Sequence, residues 1–320
     1  MKKSILIVLT VFSLSFSYAQ TVIDDSTFVS GTWTLANSPY MINGEAIVPV
    51  GDSLIIEPGV EVKFKTGTDI NHSGDDSVDV GYLNIKGKLI AKGTHSKKIM
   101  FTRQGEEGYW GCIFIVSTDN SILEYCTVQY ANKLDNYSGA VNIYTPNTKL
   151  LNTSVINNKN RGISTENVWN DPSTKGGSTP DIRNCIIANN QGFGLLLHYA
   201  YKADTVKIIN NTIAGNRSAG LSTWGVKCQV TNCIFWSNNN SLGINNERVI
   251  VSYSLVQEDI LSEPEDWVTV GAGVISNFNP QLNSDFSIPF NSPCINAGKP
   301  DVTGLKLPAY DIAGNERVTL

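Results

Sequence analysis

The residues able to do chemistry in this chain are aromatic rings, an imidazole and scattered charged side chains, and their spacing limits what they can do. Gly162, Gly194 and Gly220 directly precede Ile163, Leu195 and Leu221, and four residues beyond each glycine stand Glu166, His198 and Trp224. If the three segments are equivalent strands, those three residues form one column. Ser164, Leu196 and Ser222 come two residues earlier, so strand alternation turns the column outward. Trp169, Tyr199, Tyr201 and Lys202 fall around it. Exposed rings suit sugars, whose apolar C–H faces stack on π systems. These seven residues are the candidate glycan-binding set, walled by the stretches Asn167 to Pro180 and Tyr199 to Asp204. The competing reading is that the rings cover the side of the fold beneath those loops.

No catalytic residue is assigned. Glycoside hydrolysis wants two carboxylates held together, and the acidic pairs Asp24-Asp25 and Asp75-Asp76 lie outside the segments just described. Asp69, Asp75, Asp76 and Asp79 offer oxygen atoms to calcium, yet they lack the spacing of a calcium loop. A solvated loop is the preferred reading, and no cofactor is expected. The three histidines, His72, His95 and His198, are not paired with cysteines at zinc-binding spacing.

The elements that would hold this column come from a repeat. One phrase recurs, ending at Val128, Val155, Ile187, Ile213, Phe235 and Val256, with steps of 21 to 32 residues. That suits one coil of a β-solenoid. Asn158, Asn190, Asn216 and Asn238 each follow a phrase end by three residues. They predict a structural Asn ladder at one corner, because Asn tolerates left-handed backbone and can bond the same amide one coil away. Two residues before each phrase end lies a second column: Cys126, Thr153, Cys185, Asn211, Cys233 and Ser254. Coils are about 4.8 Å apart, so cysteines two coils apart sit near 10 Å, beyond the roughly 7 Å a disulfide tolerates. They read as small buried side chains.

Earlier in the chain, strand candidates run Leu54 to Ile56, Val60 to Phe64, Leu83 to Ile85, Lys88 to Ala91, Ile99 to Phe101 and Trp110 to Ile115, punctuated by glycine and Pro58-Gly59. After residue 20 no long stretch has helical apolar spacing. The expected fold class is all-β, a single-stranded right-handed parallel β-helix with almost no helix. A β-sandwich would need hairpin dipeptides, and Asn43-Gly44 stands alone.

Lys2 and Lys3, an apolar run from Ile5 to Phe16 and Ser17-Tyr18-Ala19 have the form of a signal peptide. Cleavage after Ala19 would leave a secreted or outer-surface protein with no transmembrane segment in the mature chain. The expected division is 1–19 signal peptide, 20–39 lead-in, 40–257 β-helix and 258–320 C-terminal loop and closing segment. A net charge of −5 with scattered Lys and Arg excludes nucleic acid as a partner.

Three passages carry a family resemblance: Gly51 to Phe64, Asn210-Asn211-Thr212-Ile213-Ala214-Gly215-Asn216, and Ser292 to Gly298 followed by Asp311 to Asn315. They resemble the opening coils, generic repeat and closing segment of right-handed β-helix proteins of the pectate-lyase-like superfamily, in the form found in secreted Bacteroidetes proteins. The resemblance implies a fold over about residues 38 to 316. It implies little about activity, since that superfamily hosts lyases, hydrolases, epimerases and non-catalytic surface proteins. In that group the closing segment usually continues into a further strand and often a sorting tail. The end at Leu320 departs from this, which implies a fragment. The expected partner is an extracellular polysaccharide or cell-surface glycan, bound without proven catalysis. A lyase or glycoside hydrolase acting on a uronic-acid-containing glycan, and a passive stalk or adhesin segment, are the alternatives.

Overall fold

The computed structural model describes residues 20–67, 80–116, 120–132, 139–144, 147–165, 179–198, 205–243 and 247–316. The coils build three parallel sheets from short strands, up to three per coil. Among the described residues sheet A has 11 strands, sheet B nine and sheet C ten, and in each sheet a strand pairs with its equivalent one coil away. The phrase recognised in the sequence is the sheet A strand, and the strand that follows it belongs to sheet B. The third strand of the coil, such as Asp181–Arg183, Val206–Ile209 and Cys228–Thr231, forms sheet C. The only helical turn among the described residues is a 3-10 turn at Leu35–Asn37. No described helix is long and apolar enough to cross a membrane.

The coils extend beyond 40–257 at both ends. Thr21–Ile23, Thr27–Phe28 and Gly31–Trp33 open the three sheets, so the expected lead-in is itself a coil. At the other end Val268–Val270 and Ile275–Ser276 close sheets C and A. Strand boundaries were obscured there because these coils lack the Asn phrase. Residues 277–316 then run back along the corner before sheet A. The Lys299 amide donates to Asn232 Oδ1 at 2.8 Å, Arg183 bonds the carbonyls of Leu305 and Lys306, and the Tyr125 hydroxyl donates to the Asp311 carbonyl at 3.4 Å.

Inside, files of aliphatic side chains stack along the axis. Val155, Ile187, Ile213 and Phe235 come from sheet A, Ile163, Leu195 and Leu221 from sheet B, and Leu150, Ile182, Ile208 and Val230 from sheet C; all are fully buried. Burial of such a side chain contributes about 1.5–3 kcal/mol, and each coil obtains it only from its neighbours.

The corners explain the Asn, with one correction. In four successive coils left-handed backbone falls on residues five apart that bracket the sheet A strand: Asn152 and Asn157, Asn184 and Asn189, Asn210 and Gly215, Asn232 and Ser237. The stacked asparagines, Asn158, Asn190, Asn216 and Asn238, each follow the second of these and do not themselves have positive φ. Their role is the amide. Asn158 Nδ2 donates to Asn190 Oδ1 at 2.8 Å, Asn190 to Asn216 at 2.9 Å and Asn216 to Asn238 at 2.9 Å. The backbone amides of Asn158, Asn190 and Asn216 donate to the same three acceptors. By contrast, the buried side-chain amides of Asn152 and Asn184 make no hydrogen bond, so their backbone conformation accounts for Asn there.

Candidate functional site

The glycines that open the sheet B strands are set by the ladder. A Cβ on Gly194 would lie 2.8 Å from Asn216 Nδ2 and 2.7 Å from the Gly220 carbonyl; Gly162 and Gly220 meet the amides of Asn190 and Asn238 in the same way. Beyond this corner the strands Arg161–Thr165, Leu195–His198, Ala219–Trp224 and Asn240–Leu242 lie side by side. Leu195 pairs with Leu221 and His198 with Trp224. Leu195, Leu197 and Leu221 enter the core, which turns Leu196, His198, Ser222 and Trp224 to the outer face.

On that face lies an open groove of about 580 Å³, with walls that include Arg161, Phe193, Leu196, His198, Ser222, Trp224, Asn240 and Gly243. Trp224 is 55% exposed although large and apolar. Its ring meets the His198 imidazole edge-on, with centroids 5.7 Å apart and planes at 70°. The Arg161 guanidinium lies over the Phe193 ring at 5.8 Å. Burial of His198 lowers its pKa below the usual 6.5, and the positive charge of Arg161 lowers it further. The imidazole is therefore neutral at pH 7, with Arg161 supplying positive charge. No Asp or Glu lines the groove among the described residues.

Of the expected glycan set, the structure joins His198 and Trp224. Glu166, Trp169, Tyr199, Tyr201 and Lys202 lie outside the described residues, as do Asp69, Asp75, Asp76 and Asp79 of the acidic stretch. Arg161 and Phe193 are groove residues the sequence reading missed. Both flank glycines already singled out, Arg161 before Gly162 and Phe193 before Gly194, and that shared position was the available signal. Among the described residues no group of three His, Cys, Asp or Glu could hold a metal ion.

The second column, of Cys126, Thr153, Cys185, Asn211, Cys233 and Ser254, is a hydrogen-bonded file. Thr153 Oγ1 accepts from the Cys126 amide at 3.3 Å, Asn211 Oδ1 from Cys185 at 2.9 Å and Ser254 Oγ from Cys233 at 3.0 Å. The Cys185 thiol donates to the Leu150 and Arg183 carbonyls at 3.4 and 3.2 Å. All three cysteines of the file are free and buried.

The family described as "Right handed beta helix region" matches residues 113–235, the span in which the phrase and the ladder lie. The chain is a right-handed parallel β-helix. No curated protein matches it. Among solved structures, this β-helix is similar to pectate lyase Pel9A at 14% identity and a TM-score of 0.40, over 74% of this chain and 64% of that one. It thus spans less than two thirds of that lyase. The A-module of the mannuronan C-5 epimerase AlgE6 of Azotobacter vinelandii is similar over 82% of this chain and 69% of that one, at 12% identity and a TM-score of 0.26.

Proposed function

We propose that this β-helix binds an extracellular polysaccharide on the outer face of sheet B, as a secreted or cell-surface protein. The observation that carries this reading is the register pairing of His198 with the exposed Trp224 inside a groove that also holds Arg161. Trp224 offers a face to a sugar ring, Ser222 and Asn240 offer hydrogen bonds, and Arg161 favours a ligand bearing carboxylate or sulfate. Calorimetric titration with polygalacturonate, alginate and a neutral glucan tests this. An acidic polymer should bind and the neutral one bind more weakly, and Trp224→Ala should weaken binding several-fold. Failure of all three to bind a folded protein would favour the stalk reading.

A second reading, a lyase acting on a uronic-acid-containing glycan, is favoured by the neutral His198 beside a cation. A neutral imidazole can take the proton next to a sugar carboxylate while Arg161 offsets the charge that develops. Release of unsaturated, ultraviolet-absorbing products that disappears in His198→Ala would establish it.

A further inference from the structure

The corner that links sheet C to sheet A carries one file of residues, Tyr125, Asn152, Asn184, Asn210 and Asn232. The backbone amide of each donates to the sheet C strand of the next coil. Residues 298–311 lie along this file. Asn232 Oδ1 accepts from the Lys299 amide at 2.8 Å, the buried Arg183 donates to the Leu305 and Lys306 carbonyls, and the Tyr125 hydroxyl donates to the Asp311 carbonyl at 3.4 Å. Each of these bonds joins a coil side chain to a main-chain atom of the segment. Among the described residues no bond between two main-chain groups ties 278–316 to the coils. Leu305 is the one buried residue within 298–311.

The segment also has length to spare. Asn232 and Tyr125 are four coil steps apart, about 19 Å, whereas the chain from Lys299 to Asp311 reaches about 40 Å when extended. Turns take up the excess, with the Leu305 amide on the Val302 carbonyl at 3.1 Å and the Thr303 amide on Asp301 Oδ1 at 2.9 Å. In the same file the buried side-chain amides of Asn152 and Asn184 make no hydrogen bond, so the corner offers more polar groups than the segment uses.

We propose that this corner is a peptide track, that residues 298–311 are a releasable strap bound to it in cis, and that a second copy's strap is what the opened track accepts. Recognition through main-chain atoms carries the proposal. The coils are held by sheet ladders and a shared core, whereas a strap bound only through side chains opens without disturbing any coil. Arg183 is the latch. It is buried and paired with Asp181 in its own strand, so it stays aimed at the carbonyl pair when the strap leaves. Another copy's strap brings the same amide, carbonyls and leucine, and exchange of an identical element between copies costs little.

Trypsin cleavage after Lys306 reads the opening, because Arg183 holds that carbonyl and the protease acts on the open form. Arg183→Ala and Leu305→Asp should each speed this cut on the order of 10-fold or more. Lys207 and Arg217, in the coils, should stay uncut and so report folding. Leu305→Asp alters the strap alone, which keeps the test valid if Arg183→Ala fails to fold. A labelled peptide of residues 297–312 then probes the track. It should bind Leu305→Asp, whose own strap is weakened, and not the wild type, and adding Arg183→Ala should abolish binding. Cutting after Lys306 at one rate in the wild type and a folded Leu305→Asp overturns the releasable strap. A Leu305→Asp protein that is cut faster yet does not bind the peptide overturns the track and the exchange.

Discussion

The side-chain amide of Asn190 donates to Asn216 Oδ1 at 2.9 Å, and the same Asn216 oxygen accepts the Asn190 backbone amide at 3.1 Å. Asn216 also donates to the Ile187 carbonyl and to Asn238 Oδ1, at 3.0 and 2.9 Å. One buried residue thus ties together two neighbouring coils on either side of its own.

Asn216→Asp separates the donor role from the acceptor role. The carboxylate could still accept from Asn190, but it would face the Ile187 carbonyl and Asn238 Oδ1 with no proton to give. Asn216→Ala should cost about 1–3 kcal/mol for the orphaned partners. Asn216→Asp should cost more at neutral pH, because it adds a buried charge between acceptors. Urea denaturation of both variants decides it. An Asp variant as stable as the wild type would remove the ladder as a stabilising device.

Gly194→Ala tests the coupling of the ladder to the candidate site. The new methyl would press on Asn216 Nδ2 and on the Gly220 carbonyl, both nearer than 3.0 Å, and neither is a flexible chain end. Overpacking of this kind costs about 1–3 kcal/mol. The strand that carries His198 should also shift, so glycan affinity should fall together with the denaturation midpoint. Loss of neither would mean that the corner has more room than its geometry indicates.

The parts legible in the sequence are those where one coil repeats the chemistry of the next. The phrase ends, the Asn at +3 and the glycine before the sheet B strand recur because each stacks on its own copy. Sheet C was legible only in its early coils, where Leu54 to Ile56 and Lys88 to Ala91 read as strands; its later strands, such as Lys149–Leu151 and Val249–Ser252, are short runs of ordinary composition with no polar residue fixed by stacking. The outermost coils, from Thr21 and to Ser276, were missed for the same reason. Within the site, the His198–Trp224 pairing followed from register alone, whereas Arg161 and Phe193 reach the groove from the corner, where simple strand alternation gives no direction. Left-handed backbone was assigned to Asn158 and its equivalents because Asn favours it, but the adjacent Asn157 and Asn189 adopt it and leave the ladder residues free to stack.

The buried thiols should be inert in the folded protein. Burial pushes the Cys185 and Cys233 thiols up to about 12, and raises those of Cys126 and Cys228 as well. A thiol reacts through its thiolate, so alkylation at pH 8 should be confined to Cys294, the half-buried one. Mass spectrometry after brief iodoacetamide treatment should find one labelled site in native protein and six after denaturation. A disulfide joining any two of Cys126, Cys185 and Cys233 in a non-reduced digest would overturn their placement in one column.

The lowered pKa of His198 gives opposite pH trends for stability and for binding. In the unfolded chain the imidazole titrates near 6.5, while in the folded protein burial and Arg161 hold its pKa below that value. As pH falls from 6.5 towards the folded pKa, the unfolded state takes up a proton that the folded state does not, so this contribution to stability is lost on acidification. It is fully present above 6.5. His198→Gln, which cannot titrate, should remove that part of the decline in melting temperature. An acidic glycan in the groove acts the other way: its negative charge stabilises the imidazolium and raises the pKa again. Wild-type affinity for polygalacturonate should therefore rise as pH drops below 6.5, until the carboxylates of the polymer protonate, and His198→Gln should show no such rise. The neutral glucan serves as control, since its binding should not follow this proton. An affinity for polygalacturonate that is flat across this window in the wild type, with binding otherwise intact, would place the ligand away from His198.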